Sequence, residues 1–283
     1  MTGNELDKDV LPFRYKIYDS YNNRAMAAYV PDRASFSSTV SPYIAEFYEQ
    51  LKDNRHVLTP EGPLGTNDIL SVSYYVTDVE WKDDKCVKHY HNGNNDVYMY
   101  IDDKALPIGF TYDTYMTRSE YANVDGKYTA LAMLKTLIIE DEDEPEVSKV
   151  LRKYDSQTDG EYADFELNAS LKAEHQDEVS QNFHYSSRDF GSTITTDAEK
   201  YAFFSVPYSD SWSATVNEIS AEVLNINGLM AVKVDKGVNE IKFSYENKGL
   251  KYGFILSIIG IIIWCTYYVY NLKKRKSNDI INS

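Results

Sequence analysis

The hydrophobic pattern of the chain changes abruptly near the C-terminus. Tyr252–Leu272 comprises 21 residues without a single Asp, Glu, Lys or Arg. As a helix this segment spans about 31 Å, which matches the hydrocarbon core of a bilayer. Trp264, Tyr267, Tyr268 and Tyr270 lie toward its end, where aromatic rings favour the headgroup region. The pattern predicts a transmembrane helix, because core helices are usually shorter and carry a polar stripe.

Basic residues directly after this segment predict its orientation. Lys273, Lys274, Arg275 and Lys276 begin the tail, and basic residues next to a membrane helix stay in the cytoplasm. We therefore expect a single-pass protein of the cell membrane, with a basic cytoplasmic tail at 273–283 and an extracellular part before the helix. The first residues lack the basic and apolar regions of a signal peptide. Either upstream helices of a larger polytopic protein, or of a split one, export this part, or the charge rule fails for this helix; we favour the upstream helices. A decayed gene fragment is a further possibility.

Residues 1–140 mix helical and strand patterns. Runs rich in β-branched and aromatic residues indicate strands, and polar residues at suitable spacing indicate helix starts. The predicted elements are a helix at Ser41–Lys52, strands at Ile69–Thr77 and Val97–Ile101, a capping box at Thr117–Glu120 and a short helix at Tyr128–Ile139. The pattern predicts an extracellular α+β region.

An acidic stretch separates this region from a second one. Glu140–Glu144 is followed by Pro145, which predicts an acidic linker over 141–160 with a short helix at Glu146–Tyr154. Residues 161–248 then alternate strand patterns with turns, which predicts a β-sandwich-like domain. Its predicted strands are Tyr162–Leu171, Gln181–Ser187, Tyr201–Tyr208, Ser213–Val216, Glu222–Asn227, Leu229–Val234 and Asn239–Tyr245. The predicted fold class is therefore a mixed α+β N-terminal region, an all-β sandwich-like domain and one C-terminal transmembrane α-helix.

Composition excludes several function classes. The chain has 29 Lys and Arg against 44 Asp and Glu, a formal net charge of −15, which argues against nucleic-acid binding. Two cysteines cannot form a disulfide framework. Sequences typical of nucleophilic hydrolases, P-loops and dinucleotide sites are absent from the chain. Cys86, His89 and His91 form a small cluster, but zinc sites normally need a second ligand pair, so a solvated hairpin edge is the favoured interpretation.

The segment YSDSW carries the candidate binding residues. Tyr208 and Trp212 flank a Ser-Asp-Ser turn, and aromatic faces of this kind can stack on sugar rings. Asp210 between them can accept hydrogen bonds from sugar hydroxyls. The alternative is that Trp212 is a core residue of the sandwich and that YSDSW only shapes a hairpin.

Calcium is the one cofactor that the sequence suggests. Asp155, Gln157, Asp159 and Glu166 occupy positions 1, 3, 5 and 12 of an EF-hand-like loop, with Gly160 at position 6. Gln157 is a poor ligand at its position, and a strand pattern follows where a helix is needed. An ordinary acidic turn is therefore the alternative.

Longer segments show a family resemblance. FSVPYSDSWSATVN from Phe204 and NGLMAVKVDKGVNEIKFSYENKGLKYG from Asn227 resemble the end of YfhO-family bacterial membrane proteins. ALPIGFTYDTYMTRSEYANVDGKYTALAMLKTLIIED from Ala105 is similar to a second block of that family, and LSVSYYVT from Leu70 to a third, weaker one. The resemblance covers most of the chain from about residue 20 and is most specific in the last third.

The resemblance implies a function outside the membrane. Members look like GT-C type glycosyltransferases that use lipid-linked sugar donors, and some are associated with sugar decoration of lipoteichoic acid. The family's helical bundle and its first extracellular loop, which holds the acidic catalytic residues, lie N-terminal to the matching segments, so no catalytic residue is assigned here. We expect a C-terminal extracellular module with a glycopolymer or sugar ligand and a polytopic partner chain that supplies the catalytic half. The alternative is a single-pass surface protein that binds carbohydrate or a protein partner without catalysis.

Overall fold

The computed structural model describes residues 13–18, 31–33, 40–51, 62–82, 84–93, 95–162, 172–175 and 177–281, with side chains up to residue 271. The chain up to Ser244 forms one compact unit, and Tyr245–Ser283 forms a second.

Short strands dominate the first unit. In chain order they are β1 (Arg14–Ile17), β2 (Val72–Thr77), β3 (Cys86–Asn92), β4 (Asn95–Ile101), β5 (Phe110–Tyr112), β6 (Thr114–Thr117), β7 (Leu137–Ile139), β8 (Arg152–Lys153), β9 (Gln181–Tyr185), β10 (Asp189–Thr196), β11 (Lys200–Pro207), β12 (Trp212–Val216), β13 (Ile219–Ala221), β14 (Leu224–Ile226), β15 (Leu229–Val234) and β16 (Gly237–Tyr245). The helices are α1 (Pro42–Gln50), α2 (Thr66–Ile69), α3 (Arg118–Tyr121), α4 (Thr129–Lys135), α5 (Glu144–Val147), α6 (Ser156–Asp159) and α7 (Lys248–Ile281). Residues 126–128 and 141–143 form 3₁₀ turns, and 172–175 form a helical turn.

Two sheets build the predicted sandwich. One has the strand order β13-β12-β16-β10-β9, and the other has the order β14-β15-β11-β5. Side chains alternate across the second sheet, so Phe203 belongs to one hydrophobic cluster and Phe204 to another. Met230 joins the cluster of Phe204, together with Ile241 and Phe243 from β16. The second sheet is therefore buried on both faces.

The N-terminal region is joined to this sandwich. β5 pairs antiparallel with β11, with Phe110 opposite Phe203 and Tyr112 opposite Tyr201. Val147, from the predicted acidic linker, lies in the same cluster as Phe110 and Phe203. The predicted regions 1–140 and 161–248 consequently share one sheet and one hydrophobic cluster.

Two smaller sheets complete the region before residue 160. One has the order β1-β2-β4-β3, in which β1 and β2 are parallel and the other neighbours are antiparallel. The other has the order β7-β6-β8 and is parallel throughout. Helices and strands thus mix in the N-terminal region, antiparallel sheets follow, and an apolar helix ends the chain, which confirms the predicted fold class.

Several predicted elements are confirmed and others are wrong. The capping box is present, because Thr117 accepts from the Glu120 backbone while the Glu120 side chain accepts from the Thr117 backbone. The helix predicted at Tyr128–Ile139 ends at Lys135, because Leu137–Ile139 pairs with β6 as a strand. The predicted helix Glu146–Tyr154 is replaced by α5 and β8, since Arg152 pairs with Thr114. Strand β10 was not predicted, and 163–171 of the strand predicted at Tyr162–Leu171 lie outside the described residues.

The second unit is dominated by α7. Its part Lys248–Asn271 is long and apolar enough to cross a membrane, the one such helix among the described residues. The helix begins at Lys248 and continues through the basic run to Ile281, so it is longer at both ends than the predicted membrane span of residues 252–272.

Candidate functional site: an aromatic and acidic corner

The YSDSW loop connects β11 and β12, which follow each other along the chain but belong to different sheets. It leaves β11 after Pro207 and enters β12 at Trp212. The Tyr208 backbone N–H donates to the Gly228 carbonyl at 2.8 Å, and the Trp212 N–H closes the turn by donating to the Ser209 carbonyl at 3.0 Å. Both ends of the loop are therefore held by backbone hydrogen bonds.

Trp212 points into the sandwich. Its ring contacts Phe190 edge to face, with centroids 5.4 Å apart, and its Nε1 donates to the Pro207 carbonyl at 3.2 Å. The ring is only partly exposed and packs against the cluster that contains Phe243. These contacts agree with the alternative interpretation of the sequence, in which Trp212 is a core residue of the sandwich.

Tyr208 and Asp210 instead meet a residue from α1. The Tyr43 hydroxyl donates to Asp210 Oδ2 at 3.0 Å, and the Tyr208 hydroxyl donates to Asp210 Oδ1 at 3.3 Å. The two tyrosine rings stand almost at right angles, with centroids 4.8 Å apart and an interplanar angle of 81°. Asp210 is exposed and both tyrosines are partly exposed. We call Tyr43, Tyr208 and Asp210 the tyrosine corner. The name refers here to these three side chains and not to the motif of the same name in immunoglobulin-like sandwiches.

The turn between β14 and β15 positions α1. Gly228 has a φ of +85°, and a Cβ there would overlap the Tyr43 carbonyl oxygen, so α1 approaches the turn as closely as glycine permits. The Asn225 side-chain amide donates a hydrogen bond from Nδ2 to Glu46 Oε2 at 3.4 Å. Phe47 is buried in the hydrophobic cluster on this face. These contacts bring Tyr43 to the YSDSW loop.

Electrostatics keep the two hydroxyl groups protonated. Burial raises the pKa of both Tyr43 and Tyr208, and the Asp210 carboxylate raises both further. Glu46 adds to the effect on Tyr43 and Glu222 to the effect on Tyr208. Both phenols therefore remain hydrogen-bond donors at neutral pH, and the charged groups that act on them are acidic.

Two of the predicted calcium ligands, Asp155 and Asp159, are engaged in local contacts. Asp155 caps α6 by accepting from the Gln157 backbone at 3.0 Å, and Asp159 binds the Arg152 guanidinium at 2.5 and 2.7 Å. Glu166 lies outside the described residues. No group of three metal-ligating side chains occurs among the residues that the structure describes. Calcium binding stays a prediction.

The Cys86, His89 and His91 cluster lies on the exposed hairpin of β3 and β4. His89 Nε2 and His91 Nδ1 approach the same oxygen of Asp96, at 2.8 and 2.9 Å. These hydrogen bonds lower the pKa of Asp96. The cluster is thus an exposed hydrogen-bonded edge of the sheet.

Together, the fold and the apolar helix define a class of protein: a β-rich domain whose chain leads into a helix able to span a membrane. Residues 164–257, about a third of the chain, match the model of the family described as bacterial membrane protein YfhO. The match confirms the resemblance for the segment that includes Tyr208, Asp210 and Trp212. Together with the apolar helix it supports a membrane protein, with one candidate span among the described residues. No curated protein and no solved structure matches the chain.

Sequence reasoning missed Tyr43. This residue lies before the segment that matches the family and 167 positions before Asp210. The only local signal is its place in the first turn of a helix that begins at Pro42, which gives no indication of a partner.

Proposed function

We propose that this chain is the C-terminal extracellular module of a YfhO-like membrane glycosyltransferase that acts on a cell-envelope glycopolymer such as lipoteichoic acid. On this proposal the chain is not catalytic by itself. It holds the glycan acceptor at the tyrosine corner, while a polytopic partner chain supplies the catalytic half.

The observation that carries this proposal is the tyrosine corner. Tyrosine rings and a carboxylate together provide apolar faces and hydrogen-bond acceptors, which is the chemistry that sugar rings and hydroxyls require. Asp210 is exposed, and the rings of Tyr43, Tyr208 and Trp212 are all partly exposed, with Tyr208 and Trp212 also packing against the hydrophobic cluster that contains Phe243.

Deletion and complementation in the native host test the role of the corner. The gene is deleted and replaced by the unaltered chain, by Tyr208→Ala or by Tyr185→Ala, and the sugar content of purified lipoteichoic acid is measured. Tyr185 is an exposed tyrosine on edge strand β9 and serves as the matched control. We expect Tyr208→Ala to lower the sugar content and Tyr185→Ala to leave it unchanged. Equal sugar content in all strains, including the deletion, contradicts the proposal.

Pull-down from native membranes through a C-terminal tag tests the partner. Recovery of a polytopic chain with acidic residues in its first outer loop is the expected result. Recovery of the chain alone from the membrane contradicts the split enzyme and favours a single-pass surface protein that binds without catalysis.

A further inference from the structure

Arg14 is a largely buried cation that no carboxylate neutralises among the described residues. It begins β1, and burial lowers its pKa to about 10, so the guanidinium still carries its charge at neutral pH. The one titratable group of the described chain that acts on it is the phenol of Tyr48. Other cations with little exposure differ, because Lys172, Lys200 and Arg118 each bind at least two carboxylates. A desolvated charge without a counter-ion is costly, so an anionic group beside Arg14 would be stabilised.

The hydrogen bonds of Arg14 use three of its N–H groups. Nη1 donates to the Leu70 carbonyl at 2.7 Å and to Ser205 Oγ at 2.8 Å, and Nη2 donates to the Ser205 carbonyl at 2.6 Å. A guanidinium has five N–H groups, so Nε–H and the second N–H of Nη2 have no acceptor among the described residues. These two N–H groups are parallel and form the side of the guanidinium that binds two oxygens of one carboxylate or phosphate.

The unused side of Arg14 is accessible and lies near further donors. The side chain is partly exposed, and the buried polar atoms that lack a partner in the described chain do not include its Nε, so this nitrogen reaches solvent. Ser71 Oγ and Ser205 Oγ share one hydrogen bond of 2.9 Å, in which only one hydroxyl is the donor. The other hydroxyl proton has no acceptor among the described residues. The surroundings of the guanidinium therefore supply hydrogen-bond donors and no negative charge.

Arg14 lies against the same two elements as the tyrosine corner. Its partner Ser205 is three residues before Tyr208 along the chain, so the Cα atoms of these two residues are no more than about 11 Å apart. Tyr48, which acts on Arg14, lies in α1, the helix that also carries Tyr43. A polymer with both sugars and phosphate groups is long enough to contact Arg14 and the tyrosine corner together.

From the guanidinium without a counter-ion and its unused pair of N–H groups, we propose that Arg14 binds a phosphate group of the acceptor polymer. The inference rests on the proposed function and adds a second contact to it, in which the tyrosine corner holds a sugar and Arg14 holds a phosphate. The net charge of the chain is −15, so the surface as a whole does not attract a polyanion, and a local contact of this kind is needed to hold one.

Glycerol phosphate, added to the full chain in nanodiscs of phosphatidylcholine, tests the site. Labelling of arginine with ¹⁵N lets NMR follow the Nε–H signal of Arg14, and the loss of this signal in Arg14→Lys assigns it. We expect glycerol phosphate to shift the signal and neutral glycerol to leave it unchanged. A residue that only holds β1 in place would not respond to the ligand, so absence of a shift at millimolar glycerol phosphate overturns the proposal.

Two matched variants separate the site from net charge. Arg14→Gln and Arg188→Gln each remove one positive charge, and Arg188 lies in the exposed turn between β9 and β10. We expect Arg14→Gln to weaken glycerol phosphate binding at least about tenfold, measured by ligand-observed NMR, because charge-assisted hydrogen bonds are lost. Arg188→Gln should have no effect, and equal weakening in both variants overturns the proposal.

Arg14→Lys keeps the charge but not the pair of parallel N–H groups. It should bind glycerol phosphate more weakly than the unaltered chain, with circular dichroism showing that it is folded. Unchanged affinity in this variant overturns the paired contact.

Phosphatidylglycerol in the nanodisc identifies the source of the phosphate. We expect it to leave the Arg14 Nε–H signal where it is in phosphatidylcholine alone. A shift caused by phosphatidylglycerol without glycerol phosphate would assign the site to a lipid headgroup and overturn the polymer as its ligand.

The inference and the proposed function fail in different experiments. Absence of glycerol phosphate binding overturns the Arg14 site, while the effect of Tyr208→Ala on lipoteichoic acid still decides the proposed function. Equal sugar content in the deletion strain overturns the proposed function and with it the acceptor polymer as the ligand of Arg14.

Discussion

His175 shows how one buried residue connects distant parts of the chain. Its ring nitrogens lie 2.8 Å from the Thr111 carbonyl oxygen and 2.7 Å from the Leu134 carbonyl oxygen. Phe110 and Tyr112 pack against the ring, with centroids 4.8 and 5.0 Å away. His175 therefore ties the helical turn at 172–175 to β5 and to the end of α4.

This environment predicts a pH dependence of stability. Burial lowers the pKa of His175 below its ordinary value, although the two carbonyl oxygens oppose that shift. The unfolded chain therefore takes up a proton near pH 6.5, whereas the folded chain does so only at lower pH. The free energy of unfolding should fall as the pH drops below about 7, by at most about 1.4 kcal/mol per pH unit from this residue.

Urea unfolding at several pH values, on the protein in detergent, measures this effect. His175→Gln should remove that part of the pH dependence and should also cost about 1–3 kcal/mol, because a buried carbonyl loses its donor. His91→Gln, on an exposed strand, is the control and should change stability by less than about 0.5 kcal/mol. If the free energy of unfolding depends on pH in the same way in the unaltered chain and in His175→Gln, His175 is not the source of the predicted pH dependence.

At the scale of elements, α1 depends on the turn at Asn227 and Gly228. Both residues have positive φ, 49° and 85°, as a tight hairpin turn requires. The same glycine leaves room for the Tyr43 carbonyl. One sequence feature thus serves the hairpin and the docking of a helix from far earlier in the chain.

Gly228→Ala should therefore displace α1. The added methyl group overlaps the Tyr43 carbonyl oxygen and forces an alanine into left-handed backbone, which alone costs about 1–2 kcal/mol. We expect faster amide exchange in α1, measured by hydrogen–deuterium exchange. Gly93→Ala has a similar φ of +57° but open space around it, and should leave α1 unchanged. An unchanged exchange rate in α1 of Gly228→Ala would contradict this account of its docking.

Elements were predicted well where the local pattern was strong. The strands at β4, β11, β15 and β16 follow from β-branched and aromatic runs. β10 was missed because Gly191, Ser192 and the threonines dilute its hydrophobic pattern, yet it pairs with β16 along its whole length. Leu137–Ile139 was predicted as helix because the apolar run continues from α4, and only pairing with β6 makes it a strand.

At the scale of the whole molecule, the predicted topology remains to be measured. The chain has two cysteines, and Cys86 is exposed on β3 whereas Cys265 lies within the apolar segment. If the part before α7 is extracellular, Cys86 in a Cys265→Ala chain should react with a membrane-impermeant maleimide on intact cells. Absence of labelling until the cells are permeabilised would reverse the predicted orientation.

A cytoplasmic control makes this experiment decisive. Ser277→Cys in a chain with both natural cysteines replaced by alanine places one thiol after the basic run. It should react only after permeabilisation. Labelling of both thiols on intact cells would show that the reagent crosses the membrane, and the measurement would then be repeated by protease accessibility.

The sequence by itself determined the apolar helix, most strands of the sandwich and two members of the tyrosine corner, because those features depend on residues that are close along the chain. Tertiary structure decided that Trp212 packs inward, that Tyr43 completes the corner and that β5 joins β11. Tyr43 and Asp210 are 167 positions apart. A local hydrophobic pattern carries no information on which distant helix packs against a given turn. That choice depends on shape, on the room left by Gly228 and on a hydrophobic cluster assembled from both parts of the chain.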